Sequence, residues 1–316
     1  MIMISDILYF ASVDPKLHSI VKNIYKQDPN VFRIGSSLLF DIEQRNILNE
    51  IVGEPAITDA SLQTEINQAT ASLCEIFHER ISLRGQVYLH NRGISDEEIS
   101  TYRFGDSTIL DFHFDEVFHN LRHHSDEALH LLKQCLSQYT KAIMDRYSSP
   151  HFISLPSYRN GEFTGVVFRT VAFKKREDQM RNMFKFYSPY NFSYMFNEDA
   201  LDNFDEINIV EGVADALALI RLGYKNTISP SMVRLSPKHI EKLKGKKLNV
   251  LFDQDMGGLA GLKYIADHVP EQQLNVLALT PRSTDFDEED EDTIHSYMAK
   301  LPEFDIRRHV RNENLL

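Results

Sequence analysis

The stretch Leu248–Gly258 reads LNVLFDQDMGG and guides the interpretation of the rest of the chain. An apolar run typical of a buried strand ends in Asp253 and Asp255, and a Gly-Gly pair and a helical pattern follow at once. Two carboxylates separated by one residue leave a strand end on the same side. Mg²⁺ usually binds one or two protein carboxylates and keeps its other positions for water and phosphate oxygens. The stretch therefore predicts a magnesium site if further acids converge on it.

The last third of the chain alternates strand and helix patterns. The predicted strands cover residues 207–210, 227–229, 248–252 and 274–279, and a helical pattern follows each of them. Repeated β-α units with short turns indicate a parallel sheet covered by helices. We therefore predict an α/β fold for this part of the chain.

Acidic side chains follow three of these four strands. Ligands of parallel sheets bind beyond the carboxyl ends of the strands, where these acids are expected to meet. The alternative is that the carboxylates cap the helices that follow, because negative charge is favoured at helix N-termini. Capping explains one acid per turn but not convergence from three strands, so the metal site is favoured. The acids are Glu211, Asp253, Asp255, Asp285 and Asp287.

The part before residue 200 has mixed patterns. Residues 79–91 predict one helix, Ser95 begins a capping box for a second, and residues 126–147 predict a longer one. Strand patterns follow from residue 152, with Asn160 and Gly161 as a hairpin turn. The first 80 residues indicate a small hairpin and a helix over residues 58–77.

Composition bounds the class of protein. The net charge of −12 argues against broad nonspecific binding to nucleic acid, although residues 169–185 are locally basic. No apolar run has the length of a membrane span, and the first residues do not resemble a secretory signal. The two cysteines cannot build a four-cysteine zinc ribbon, so no zinc is expected. We predict a cytoplasmic protein without a membrane partner.

Two segments resemble the Toprim domain of topoisomerases, primases and related nucleases. The first reads EGVADALAL from Glu211, and the second reads FDQDMGG from Phe252, about 40 residues later. The resemblance implies that Glu211, Asp253 and Asp255 bind one or two Mg²⁺ or Mn²⁺ ions and carry catalysis. It implies further ligands nearby, which would be Asp215, Asp285 and Asp287.

The preceding segment resembles the core of bacterial and phage DnaG-type primases. The motifs are YLHNRGIS from Tyr88, YRFG from Tyr102, the strand pair over residues 155–169, and KFYSP from Lys185. The resemblance covers residues 81–300. It implies a small N-terminal region over residues 1–80, with a metal-free remnant of a zinc ribbon, a mixed α+β primase-core subdomain over residues 81–200, and a Toprim domain with a short tail over residues 201–316.

The same resemblance implies a reaction and its partners. A DnaG-like primase makes short RNA primers on single-stranded DNA from ribonucleoside triphosphates, in DNA replication, with a separate helicase or loader. Arg169 and Lys185 would face the metal ions and bind template phosphates or the triphosphate, although Arg169 has ion pairing as an equal alternative. Further predicted phosphate-binding residues are Lys174, Lys175 and Arg181. The alternatives are a Toprim nuclease using the same acids and a catalytically weak binding subunit that keeps the primase fold.

Overall fold

Most of the chain from residue 60 onward is described by a computed structural model. The described residues are 19, 60–144, 151–171, 186–187, 194–231, 235, 237–280, 286 and 289–307. They divide into two compact units. Described residues of the first unit are 60–85, 103–144, 151–155, 165–171 and 186–187, and the second contains residues 86–102, 156–164 and those from 194 onward. The predicted division into regions 1–80, 81–200 and 201–316 stays a prediction. No helix within the described residues combines the length and apolarity needed to cross a membrane.

The first unit is built around helices and a small sheet. The helices that lie in it or begin in it are α1 (Ala60–Glu79), α2 (Leu83–His90), α4 (Ile109–Asn120) and α5 (Asp126–Met144). Three of the phenylalanine rings in its core form a cluster, in which Phe77 meets Phe152 and Phe168 edge to face at 5.9 and 6.4 Å between ring centroids. A Cβ at Gly105 would lie 2.4 Å from the carbonyl carbon of Phe77, so only glycine fits where the chain passes α1.

The helix predicted over residues 79–91 is present as α2 but begins later, at Leu83, because a break at residues 80–82 separates it from α1. Ser82 causes the break: its Oγ accepts a hydrogen bond from the backbone N–H of Gly85 at 3.1 Å, as an N-cap does. The backbone N–H and the hydroxyl of Ser82 both donate to Oδ2 of the buried Asp106, each at 2.7 Å. Asp106 is distant in sequence, so this tertiary contact was not readable from the local pattern.

A four-stranded sheet follows the order β1-β2-β3-β4. Its strands are β1 (Gly105–Asp106), β2 (Phe152–Arg159), β3 (Glu162–Thr170) and β4 (Phe186–Tyr187). The predicted hairpin turn between β2 and β3 is confirmed, with positive φ angles of 52° at Asn160 and 79° at Gly161. The capping box at Ser95 is also confirmed and opens α3 (Asp96–Thr101).

The second unit contains a parallel sheet, as the alternating pattern predicts. The strand order is β6-β5-β7-β8, with β5 (Glu206–Val210), β6 (Thr227–Ile228), β7 (Lys247–Phe252) and β8 (Leu274–Leu279). Besides α3, its helices are α6 (Ala200–Asn203), α7 (Val213–Arg221), α8 (Pro237–Lys242), α9 (Met256–His268) and α10 (Glu291–Ala299), with short 3-10 turns at Glu271–Gln273 and Leu301–Phe304. On one face, Ile207, Val250 and Phe252 pack with Leu262 and Ile265 of α9 in a fully buried core. The predicted α/β fold is confirmed.

A row of asparagine side chains crosses the parallel sheet near the amino ends of its strands. The side-chain amide of Asn249 on β7 donates to Oδ1 of Asn208 on β5 at 2.9 Å, and Asn275 on β8 donates to Oδ1 of Asn249 at 2.9 Å. Asn208 in turn donates to Oδ1 of Asn226, before β6, at 3.1 Å. The carboxylate of Glu206 accepts from Asn249 at 2.7 Å. The buried amides of the row therefore have partners on neighbouring strands.

Candidate metal centre

Glu211 and Asp253 meet at the carboxyl edge of the parallel sheet. They follow β5 and β7, which are adjacent and pair Val210 with Leu251. The backbone N–H of Asp253 donates to Oε1 of Glu211 at 3.1 Å. The predicted convergence of the acids after these two strands is therefore present in the fold, and the hydrogen bond fixes the orientation of the Glu211 carboxylate.

Asp255 also acts as a helix cap. It is the N-cap of α9, and its Oδ1 accepts from the backbone N–H of Gly258 at 2.7 Å. The capping alternative thus accounts for one oxygen of Asp255. It does not account for Glu211, because the N-cap of α7 is Gly212 and that cap has no side-chain hydrogen bond.

Two glycines allow the acids to lie where they do. A Cβ at Gly258 would come within 2.1 Å of the carbonyl oxygen of Asp253, so the turn after β7 can close only without a side chain there. A Cβ at Gly212 would come within 2.5 Å of Oδ2 of Asp215, which is itself only 4% exposed. The glycines of the two quoted motifs therefore serve close approach to the acids.

The acids create a strongly negative local environment. Burial is the largest cause that raises the pKa of Glu211 to about 8, followed by repulsion from Asp253, with smaller contributions from Asp255 and Asp215. The hydrogen bond from the Asp253 N–H opposes this rise. Four carboxylates thus share one region where a partly buried negative charge is costly, and a cation would relieve that cost. An all-oxygen donor set of this kind fits Mg²⁺ or Mn²⁺.

The described residues do not by themselves form a complete coordination cage. Among them, no group of three or more His, Cys, Asp or Glu side chains has the arrangement that would hold a metal ion. Asp285 and Asp287, two of the predicted ligands, lie outside the described residues. The metal roles of all six acids remain predictions.

The predicted phosphate-binding residues are only partly described. Arg169 lies on β3 of the first unit, opposite Phe186 of β4, and is partly buried. Lys174, Lys175, Arg181 and Lys185 lie outside the described residues. Their roles also remain predictions.

Two hydroxyl residues at strand ends were missed in the sequence. Ser229 follows β6, and its Oγ donates to the carbonyl oxygen of Glu211 at 2.8 Å. Thr280 follows β8, and its Oγ1 accepts from the backbone N–H of Gln254 at 3.1 Å. Both support the backbone of the acidic turns. Their position directly after predicted strands was the signal available in the sequence.

The segment that contains the parallel sheet matches a known domain family. Residues 205–280 match the family model of the Toprim domain. The match contains Glu211, Asp215, Asp253 and Asp255, together with strands β5 to β8. The chain therefore carries a Toprim domain, as its motifs indicate.

The sequence is also similar to that of a larger protein. The chain is 26% identical over 241 residues to a DNA primase of Lactococcus lactis, a match that covers 71% of this chain and 36% of the relative. It therefore spans about a third of the length of that relative. Its sequence is homologous to that of a bacterial DNA primase.

Solved structures show the same fold. One is the RNA polymerase domain of Mycobacterium tuberculosis primase DnaG in complex with double-stranded DNA. This domain is 16% identical to the chain and superimposes with a TM-score of 0.55, and the match covers 77% of this chain and 83% of that chain. Another is a DnaG primase catalytic domain bound to single-stranded DNA. That domain is 14% identical, with a TM-score of 0.52, and the match covers 80% of this chain and 84% of that chain. The chain has the fold of the DnaG primase catalytic core.

Proposed function

We propose that this chain is a DnaG-like primase core that makes short RNA primers on single-stranded DNA by metal-dependent nucleotidyl transfer. The observation that carries the proposal is the convergence of Glu211, Asp215, Asp253 and Asp255 within a Toprim domain, where burial and mutual repulsion raise the pKa of Glu211. Homology to a bacterial DNA primase supports primer synthesis over the other reactions that such acids serve.

The chain's own residues set up the site before any ligand binds. The N–H of Asp253 orients the Glu211 carboxylate, and Thr280 holds the backbone between Asp253 and Asp255 through the N–H of Gln254. The cluster would hold one or two Mg²⁺ ions, with Asp285 and Asp287 as further ligands. Bound Mg²⁺ would supply charge stabilisation for the in-line displacement of pyrophosphate by a ribose hydroxyl.

The partners follow from the same reaction. Single-stranded DNA would be the template and ribonucleoside triphosphates the substrates, and Arg169, Lys174, Lys175, Arg181 and Lys185 would bind their phosphates. A separate helicase or loader would bring the protein to its template. The cytoplasmic location stays a prediction.

A primer-synthesis assay tests the proposal. Purified protein is incubated with single-stranded DNA, four ribonucleotides and Mg²⁺ or Mn²⁺, and new oligoribonucleotides are expected. Asp253→Asn should abolish them, whereas Glu206→Gln, at the opposite end of β5, should retain them. Shortened template without synthesis would identify a nuclease instead. Neither product, with DNA binding retained, would identify a binding subunit and overturn the proposal.

A further inference from the structure

Ser231 combines two unfavourable features just beyond the end of β6. Its backbone is left-handed, with a φ angle of 55°, a conformation that favours glycine. The residue is only 7% exposed, and its hydroxyl is buried with no hydrogen-bond partner in the part of the chain that the structure describes. A buried hydroxyl without a partner loses its bonds to water and gains nothing in return.

A short chain of hydrogen bonds joins Ser231 to the acidic edge. The backbone N–H of Ser231 donates to Oγ of Ser229 at 3.1 Å. The same Oγ donates to the carbonyl oxygen of Glu211 at 2.8 Å. β6 is adjacent to β5, the strand that Glu211 follows. The strained residue therefore lies beside the carboxyl edge, in the same unit as Glu211 and Asp253.

Glycine would remove both features at once, since it tolerates a positive φ angle and has no hydroxyl. Serine at this position therefore gives the ligand-free fold no visible benefit. Strained backbone and unsatisfied buried groups are concentrated at functional sites, where a bound ligand uses them.

We infer that the Ser231 hydroxyl binds a phosphate oxygen of the nucleotide held at the acidic edge. The inference rests on the proposed function, which brings a triphosphate to Glu211, Asp253 and Asp255. Carboxylates accept hydrogen bonds but cannot donate them, so phosphate oxygens at this edge need donors from elsewhere. A neutral hydroxyl supplies a donor without adding a charge. Rotation about the Cα–Cβ bond, or relaxation of the strained backbone, presents the hydroxyl to the ligand.

Direct binding of a nucleotide tests the role of Ser231. Fluorescently labelled ATP with Mg²⁺ is titrated with the parent protein, Ser231→Ala and Ser231→Gly, and anisotropy is recorded. One hydrogen bond to a charged group corresponds to about 10- to 100-fold in affinity, so both variants should bind that much more weakly. Ser231→Gly should at the same time have a melting temperature equal to or above that of the parent, because the backbone strain is relieved.

Ser157→Ala is the matched control. Ser157 is a buried serine of the same unit whose Oγ donates to the carbonyl oxygen of Met195 at 2.5 Å. Its replacement should lower the melting temperature and leave the affinity for ATP unchanged. If the role of Ser231 were purely structural, its variants would likewise have a lower melting temperature and an unchanged affinity for ATP.

The outcomes separate the two proposals. If the parent binds ATP and both Ser231 variants bind it equally well, the hydroxyl holds at most a buried water, and the inference about Ser231 is overturned while the proposed function stands. If the parent binds no nucleotide with Mg²⁺, the proposed function and the inference fail together. If Ser231→Ala does not fold, Ser231→Gly alone decides.

Discussion

Replacing Glu211 by glutamine should stabilise the metal-free protein at alkaline pH. Glutamine has nearly the same shape, and its side-chain oxygen can still accept the hydrogen bond from the backbone N–H of Asp253. What disappears is a negative charge that the fold disfavours. Because the folded state raises the pKa of Glu211, the parent's stability contribution from this group is full below pH 4.5 and is lost as the pH rises through about 8.

The size of the effect follows from the pKa. The pKa of Glu211 rises from its ordinary value of 4.5 to about 8. With about 1.4 kcal/mol per pKa unit, the full difference corresponds to about 5 kcal/mol. Glu211 is partly exposed, and water screens its repulsion with the other acids, so we expect about 2 kcal/mol of this to be measured.

Urea unfolding in the presence of EDTA measures the difference. The free energy of unfolding of Glu211→Gln should exceed that of the parent by about 2 kcal/mol at pH 9 and by little at pH 5. Glu206→Gln changes a carboxylate of the same strand at the opposite end of the sheet, and should keep the pH dependence of the parent. An equal difference between Glu211→Gln and parent at both pH values would refute the reasoning. When Mg²⁺ replaces EDTA, it should stabilise the parent but not Glu211→Gln.

Three further changes test the surrounding structure. Gly258→Ala should lower the free energy of unfolding by about 1–3 kcal/mol, because its Cβ would overlap the Asp253 carbonyl. Gly257→Ala, whose Cβ would lie 3.1 Å from Oδ1 of Asp255, should be tolerated, and urea unfolding compares the two variants. His239 is buried, and burial lowers its pKa to about 4. The free energy of unfolding of the parent should therefore fall by up to about 3 kcal/mol as the pH falls from 6.5 to 4. Urea unfolding of His239→Gln across that pH range should not show this loss. Asn249→Ala removes the middle of the asparagine row and should cost about 1–3 kcal/mol by the same measurement, since buried partners lose their bonds; an unchanged midpoint would show that the row contributes nothing.

Periodicity and turn residues were enough to predict the parallel sheet. The run from Leu248 to Phe252 is buried because it lies between layers, and apart from Asn249 it is continuously apolar, as such strands usually are. The Ser95 capping box and the turn at Asn160 were predictable because their hydrogen bonds and dihedral angles are local.

The features that escaped prediction depend on contacts between distant residues. The break at Ser82 requires Asp106, which the sequence places 24 residues away. The need for glycine at position 258 arises from the carbonyl of Asp253, and a residue pattern does not show where a carbonyl points. The direction of parallel strands predicts the convergence of the acids, and helix capping, which Asp255 performs, was the alternative that the sequence offered. The left-handed backbone of Ser231 could not be predicted, because no local residue pattern requires it.

The residues that align the strands of the parallel sheet lie apart from the acids proposed to perform the chemistry. Side chains alternate between the two faces of a strand, so a slip of one residue in β7 would turn the amide of Asn249 into the apolar core that Leu248 and Val250 occupy. The asparagine row therefore specifies strand register from a place about 13 Å from Asp253, at 3.3 Å per residue. Substitutions of the acids leave this alignment untouched. Variants of Glu211 and Asp253 should thus keep the native strand register, and their loss of activity can be interpreted as a loss of chemistry, whereas variants of Asp255 also lose the N-cap of α9.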